Sequence, residues 1–298
     1  MTVSDSLLST VLTRRKMLGA LAAALCNASC TRIPSRSNIL MDCFFLSVGY
    51  GDAILLQKNN SQILVDGGYP VFTSAVLSLL KQRNIHRLDA VILTHPHPDH
   101  IGGVFGVLDS GFSVGCVYGI YPLAHPDNPI GFQEIIHRRH IEYRVVAKGD
   151  IISAGNDLHM EVLHPDLLGT DMNENSMVLK CLEPKDFLLL TADIGLYTQK
   201  HLLSGNVQIL RSRILKAPHH GGELFDPFLQ AVNPEAVIIS TGINPYGNPA
   251  ESTVSLLEKL ELQVYRTDRS GSIHVRLYEN GELGITTSKV PRGTLFRY

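Results

Sequence analysis

Short apolar runs alternate with amphipathic stretches from residue 39 onward. Runs of strand length recur at 39–48, 52–57, 62–66, 88–93, 114–120, 158–163, 176–182, 186–191, 213–217, 236–240, 262–266 and 272–278. Helical spacing of apolar residues is clearest at 73–83, 129–140, 225–232 and 250–260, and Pro249 suits the start of the last. No internal repeat, low-complexity tract or domain-splitting linker interrupts the pattern. Both halves share one texture of strands, a helix, then strands. Two such halves most economically form two sheets packed together with helices outside. The expected fold is α/β, a single domain over residues 39–298, preceded by a signal-like segment and linker over residues 1–38.

Polar chemistry gathers where apolar runs end. Ala90-Val91-Ile92-Leu93 leads into Thr94-His95-Pro96-His97-Pro98-Asp99-His100, with three histidines and an aspartate in six positions. Imidazole and carboxylate are ligands for zinc and similar divalent ions. Side chains at i and i+2 of an extended segment point one way, so His95 and His97 suit one ion. Pro96 and Pro98 favour that extended shape. Asp99 and His100 then turn into Ile101-Gly102-Gly103 and face a second ion. The alternative, a His-rich surface loop, fits so ordered a spacing poorly.

Asp193 closes the apolar run Leu188-Leu189-Leu190, where a carboxylate needs a metal or a cation. It either bridges two ions or caps a helix beginning near Gly195. Leu215-Lys216-Ala217-Pro218-His219-His220-Gly221 repeats the theme of strand, histidines and glycine. His220 is the preferred ligand and His219 a substrate or phosphate contact, while Lys216 is a structural charge or an anion contact. Asp66, in Val65-Asp66-Gly67-Gly68, is expected to orient a metal histidine. Asp52, after Gly49-Tyr50-Gly51, does the same or belongs to a plain hairpin turn. Asn173, Asn175 and Ser176 offer polar groups to a substrate or an open metal position. Asp268 lies in a turn or lines a pocket mouth. His164 is a weaker candidate ligand, and the remaining histidines lack ligand spacing.

Composition narrows the partners. Apolar residues make up 44% of the 298, enough for a sizeable core. The net charge of −2 gives no global basic field for nucleic acid, and with 7% aromatics and no Trp a stacking platform is not obvious. Thr13-Arg14-Arg15-Lys16-Met17-Leu18 resembles a twin-arginine export signal, followed by an apolar run to Leu25 too short to span a bilayer. An ordinary mobile basic N-terminus is the alternative. Cys26 and Cys30 raise a lipid anchor, although their flanking residues fit lipidation poorly. Cys43, Cys116 and Cys181 are expected to be buried free thiols, and no later run is long enough for a membrane span.

These motifs, in this order, resemble the metallo-β-lactamase superfamily. His95, His97, Asp99 and His100 form its H-x-H-x-D-H signature, Asp193 matches its bridging aspartate, and His219-His220 its final histidine. Within it the chain is most similar to the soluble hydrolase domain of ComEC-type competence proteins. The similarity runs through Phe45–Ala53, Val65–Gly68, Asn173–Ser176, Leu215–Gly221 and Tyr265–Gly271, covering roughly residues 40–280. It implies an αββα sandwich with the site at one edge, and a hydrolase using one or two divalent ions, zinc foremost or manganese. One ion would be held by His95, His97 and Asp193, the other by Asp99, His100, Asp193 and His220. Asp99 would orient the attacking water, and His219 and Lys216 would stabilise developing charge. The further histidine of many members is missing near Asn173–Asn175, which makes the first position the weaker one. ComEC-type membrane segments, and with them a DNA channel, are not encoded here. The expected activity is exported hydrolysis of small-molecule or polymeric esters, phosphodiesters foremost and DNA among them. Phosphorylcholine or teichoic-acid esterase and amide or lactam hydrolase are alternatives. A metal-binding protein with a degenerate site is the non-enzymatic one.

Overall fold

A computed structural model describes residues 39–288. The export-like segment, Cys26, Cys30 and the boundary at residue 38 lie outside the described residues. The first half lays down β1 (Ile39–Phe45), β2 (Ile54–Lys58), β3 (Ser61–Val65), β4 (Arg87–Ile92), β5 (Ser113–Gly119) and β6 (Glu142–Val145). Helices α1 (Thr73–Gln82), α2 (Pro98–Asp109) and α3 (Phe132–Arg138) connect the later members of this set. The second half builds β7 (Ile151–Ala154), β8 (Leu158–His164), β9 (Val178–Cys181), β10 (Leu188–Leu190), β11 (Ile214–Lys216), β12 (Ala236–Ile239) and β13 (Gln263–Arg266). Between them run α4 (Leu196–Leu203), α5 (Asp226–Val232) and α6 (Glu251–Lys259). After the single turn α7 (Thr267–Ser270), β14 (Ile273–Tyr278) and β15 (Leu283–Thr287) return to the first sheet. The sheet orders are β15-β14-β1-β2-β3-β4-β5-β6 and β13-β12-β11-β10-β9-β8-β7.

The period of two along each strand sorts neighbouring side chains into different layers. Leu56, Ile92 and Leu188 enter the core between the sheets, with Phe45, Met160 and Ile238. Their neighbours Leu55 and Val91 face the other way, against Val76, Leu80 and Val104 of α1 and α2. Leu189 packs with Phe228 and Leu257 of α5 and α6. The central parallel strands β4, β10, β11 and β12 are thus covered on both faces, which is why they read as unbroken apolar runs. The architecture is the αββα sandwich implied by the resemblance. Cys43, Cys116 and Cys181 are buried and free. Among the described residues no helix is long and apolar enough to cross a membrane.

Two departures from the sequence reading have plain causes. β6, β7 and β15 are all edge strands in which most positions are exposed or half-buried, so they lack the apolar runs of central strands. Helix α2 carries Gly102, Gly103 and Gly106, poor helix formers that hide its periodicity. Close packing explains them: a Cβ at Gly103 would collide with the Gly67 carbonyl oxygen. This contact draws α2, and the site residues in its first turn, onto the end of β3.

Candidate metal centre

The candidate site forms where β3, β4, β10 and β11 end. Beyond β4, Asp66 accepts hydrogen bonds from the Thr94 backbone N–H (3.0 Å) and hydroxyl (2.7 Å). His95 and His97 follow on an extended segment, and Pro98 then starts α2 as its first helical residue. Asp99 and His100 occupy the first turn of α2 and are buried. Gly51, at φ 149°, lets the 49–52 loop pass beside the Asp99 carbonyl, bringing Asp52 to the same place.

Two imidazoles are oriented alike. His100 Nδ1 donates to Asp66 Oδ2 at 2.8 Å, and His220 Nδ1 donates to the Ser240 carbonyl at 3.0 Å. Each therefore turns Nε2 toward a shared point. His100 Nε2 lies 3.2 Å from Asp193 Oδ1, and His220 Nε2 lies 3.3 Å from both Asp193 Oδ2 and Asp99 Oδ2. The two Nε2 atoms are 3.3 Å apart. A histidine anchored through one nitrogen, with the other facing carboxylates, is the arrangement of a metal ligand. Asp52, His100, Asp193 and His220 each offer a ligand atom, all within 4.8 Å of one another. Asp52 Oδ1 and Asp193 Oδ1 are buried without hydrogen-bond partners. Such a donor set fits a divalent cation.

The open side of Asp193 holds a second group. His95 Nε2 is 3.9 Å and His219 Nε2 3.8 Å from Asp193 Oδ2, and His97 Nδ1 lies 3.0 Å from His95 Nε2. His95 is buried, whereas His97 and His219 are partly exposed. His219, His220, Ala192 and Asp66 all adopt positive φ, between 42° and 57°, so some local backbone strain is held at the site.

Electrostatics divides the histidines. Burial pushes His100 down, but Asp193 and Asp66 together raise it well above its ordinary value. Burial, then the neighbouring His100, lowers His95 far below it. Burial also lowers His219. Burial opposes ionisation of Asp193, yet His100 and His220 hold it well below the usual carboxylate range.

Other sequence candidates take different places. Lys216 is fully buried; its Nζ lies 2.6 Å from Asp52 Oδ2 and donates to the Ala192 carbonyl at 3.0 Å. It sits as a buried counter-ion behind the carboxylates, the structural-charge alternative of the sequence reading. Asp193 does not cap α4. The Glu174 carboxylate does, accepting from the backbone N–H groups of Gly195, Tyr197 and Thr198. Asn175 binds Tyr121 and Gly169, and Asn173 Oδ1 and Ser176 Oγ are buried without hydrogen-bond partners. These three flank the site through the Met177 N–H to Thr94 carbonyl bond but do not join the cluster. Asp268 pairs with Arg266, and His164 Nε2 donates to the Glu174 carbonyl. Sequence reading missed Tyr50, whose ring centroid lies 4.1 Å from that of His220; its flanking glycines were the available signal.

The profile of the metallo-beta-lactamase superfamily matches residues 46–261. The chain belongs to the metallo-beta-lactamase superfamily. Among its curated superfamily relatives, it is 25% identical over 257 residues to ComE operon protein 3 of Bacillus subtilis, covering 79% of this chain and 33% of that protein. It is 26% identical over 240 residues to Competence protein ComA of Neisseria gonorrhoeae, covering 78% of this chain and 32% of that one. The chain thus spans about a third of the length of these ComEC-type relatives. Two solved structures share its metallo-beta-lactamase fold. YhfI from Bacillus subtilis has a TM-score of 0.52 at 13% identity, covering 78% of this chain and 98% of that one. Igni18, a metallo hydrolase from Ignicoccus hospitalis, has a TM-score of 0.53 at 14% identity, covering 83% and 100%. Family, fold and donor set together support a metallo-hydrolase.

Proposed function

We propose that this chain is an exported metal-dependent hydrolase of phosphodiester bonds. The observation that carries the reading is Asp193, a single carboxylate within 3.9 Å of imidazole nitrogens from His95, His100, His219 and His220. Asp99, His100, Asp193 and His220, with Asp52 beside them, would hold one divalent ion, zinc or manganese; His95, His97 and Asp193 would hold a second. Bound there, such ions would supply water activation and charge neutralisation. Asp99, whose Oδ2 lies 3.3 Å from His220 Nε2, would accept a hydrogen bond from the attacking water. His219, partly exposed at the rim, contacts a substrate oxygen. Lys216 offsets the charge of Asp52 and Asp193 from behind. Asp66 keeps His100 in the tautomer that leaves Nε2 free.

The test is turnover of bis-p-nitrophenyl phosphate and single-stranded DNA by zinc- or manganese-loaded protein. Metal-dependent cleavage that is lost in Asp99→Ala is expected. Nitrocefin hydrolysis without diester cleavage would replace this reading with a lactam hydrolase, and choline release from cell envelopes with an esterase. Export is tested by fractionation: replacing Arg14 and Arg15 with Lys should retain the chain in the cytoplasm.

A further inference from the structure

Four rings rise from the buried centre to the surface. The centroids of His100 and His220 are 5.2 Å apart, those of His220 and Tyr50 4.1 Å, and those of Tyr50 and Tyr246 5.2 Å. Exposure rises along the series, from fully buried His220 through Tyr50 at 7% to Tyr246 at 68%.

The loop that carries Tyr246 joins β12 to α6 and is internally fastened. Asn244 Oδ1 accepts from the backbone N–H groups of Tyr246 (3.0 Å) and Asn248 (3.1 Å). Asn244 Nδ2 donates to the carbonyls of Gly242 (2.8 Å) and Asn248 (2.7 Å). Asn248 Nδ2 donates to the Tyr50 hydroxyl and the His219 carbonyl, each at 3.0 Å, which ties the loop to the centre itself. This ordered loop nonetheless holds Tyr246 and Ile243, the latter 77% exposed, out in solvent. Large side chains that a fastened loop holds in solvent beside the site are placed to contact a bound ligand.

We propose that Tyr246 is a stacking platform for a nucleobase next to the scissile phosphodiester. The substrate class rests on the phosphodiester reading above. The two ring steps of 4.1 and 5.2 Å set the Tyr246 ring close enough to the centre to meet a substituent of a bound ester. Every base has a π-face, so the contact tolerates any sequence.

The chain contains no Trp, so Y246W introduces a single fluorophore at the platform. Zinc-loaded Y246W is titrated with a short oligothymidylate and with an abasic strand of equal length. Quenching by the base-bearing strand at concentrations about tenfold below those needed for the abasic strand is expected. In parallel, Tyr246→Ala should raise KM for thymidine 5′-(p-nitrophenyl phosphate) about tenfold, leaving its kcat and the cleavage of methyl p-nitrophenyl phosphate unchanged. Equal quenching by the two strands, or equal loss on both esters, overturns the proposal. If the unsubstituted protein cleaves neither ester, the phosphodiesterase reading fails, and the quenching contrast alone decides the platform.

Discussion

At the scale of single residues, the site depends on groups that never meet the substrate. Asp66 takes three hydrogen bonds, from Thr94 twice and from His100. Asp66→Ala should leave His100 Nδ1 without its acceptor and lower metal affinity about 10- to 100-fold, measured by competition with a chelating dye. Lys216→Met removes the buried counter-ion of Asp52. The metal-free protein should lose about 3–5 kcal/mol in urea unfolding, and the loaded protein less, because a bound ion would take over the neutralising role. His164 gives a pH signature away from the centre. Burial lowers its folded pKa below the ordinary 6.5, whereas the unfolded chain protonates near that value. Its contribution is therefore present above about pH 6.5 and lost as pH falls toward the folded pKa. Between about pH 7.5 and pH 5, the unfolding free energy of the protein should fall with acidity relative to that of His164→Asn. The clustering of candidate ligands was legible in the sequence because His95, His97, Asp99 and His100 lie together and Asp193 interrupts an apolar run. The role of Lys216 was not, because its partner Asp52 arrives from another sheet.

At the scale of elements, the sequence reveals central strands and conceals edges. β4, β10, β11 and β12 are covered on both sides, and burial leaves a continuous apolar trace. β6, β7 and β15 leave none because half of the pairing and much of the side-chain surface face solvent. Helix α2 is the informative miss. Its glycines weaken the local signal and yet permit the contact with Gly67 that seats Asp99 and His100. Gly103→Ala should therefore destabilise the protein despite the helix propensity gained, which is worth about 1 kcal/mol. Overpacking of this kind costs about 1–3 kcal/mol. A lower Tm together with reduced bound metal would show both effects of displacing α2.

At the scale of the whole molecule, the first sheet supplies His95 to His100 and the second supplies Asp193 and His220. The centre is a seam between the two sheets. Chelation should lower Tm and reloading restore it, by about 2.7 kcal/mol of added stability at metal one hundred times the dissociation constant. The sequence's two similar halves implied the sandwich but not how closely their ends converge, since register between sheets is a property of packing. That convergence has a topological result. His100 and His220 are separated by 120 positions in the chain. An ion held by both would close a loop of that length in the folded state and, unlike a disulfide, would leave with unfolding. The three described cysteines are buried and free, and form no such link. Metal would be this chain's one reversible cross-link among the described residues, and its occupancy would set how quickly the halves separate.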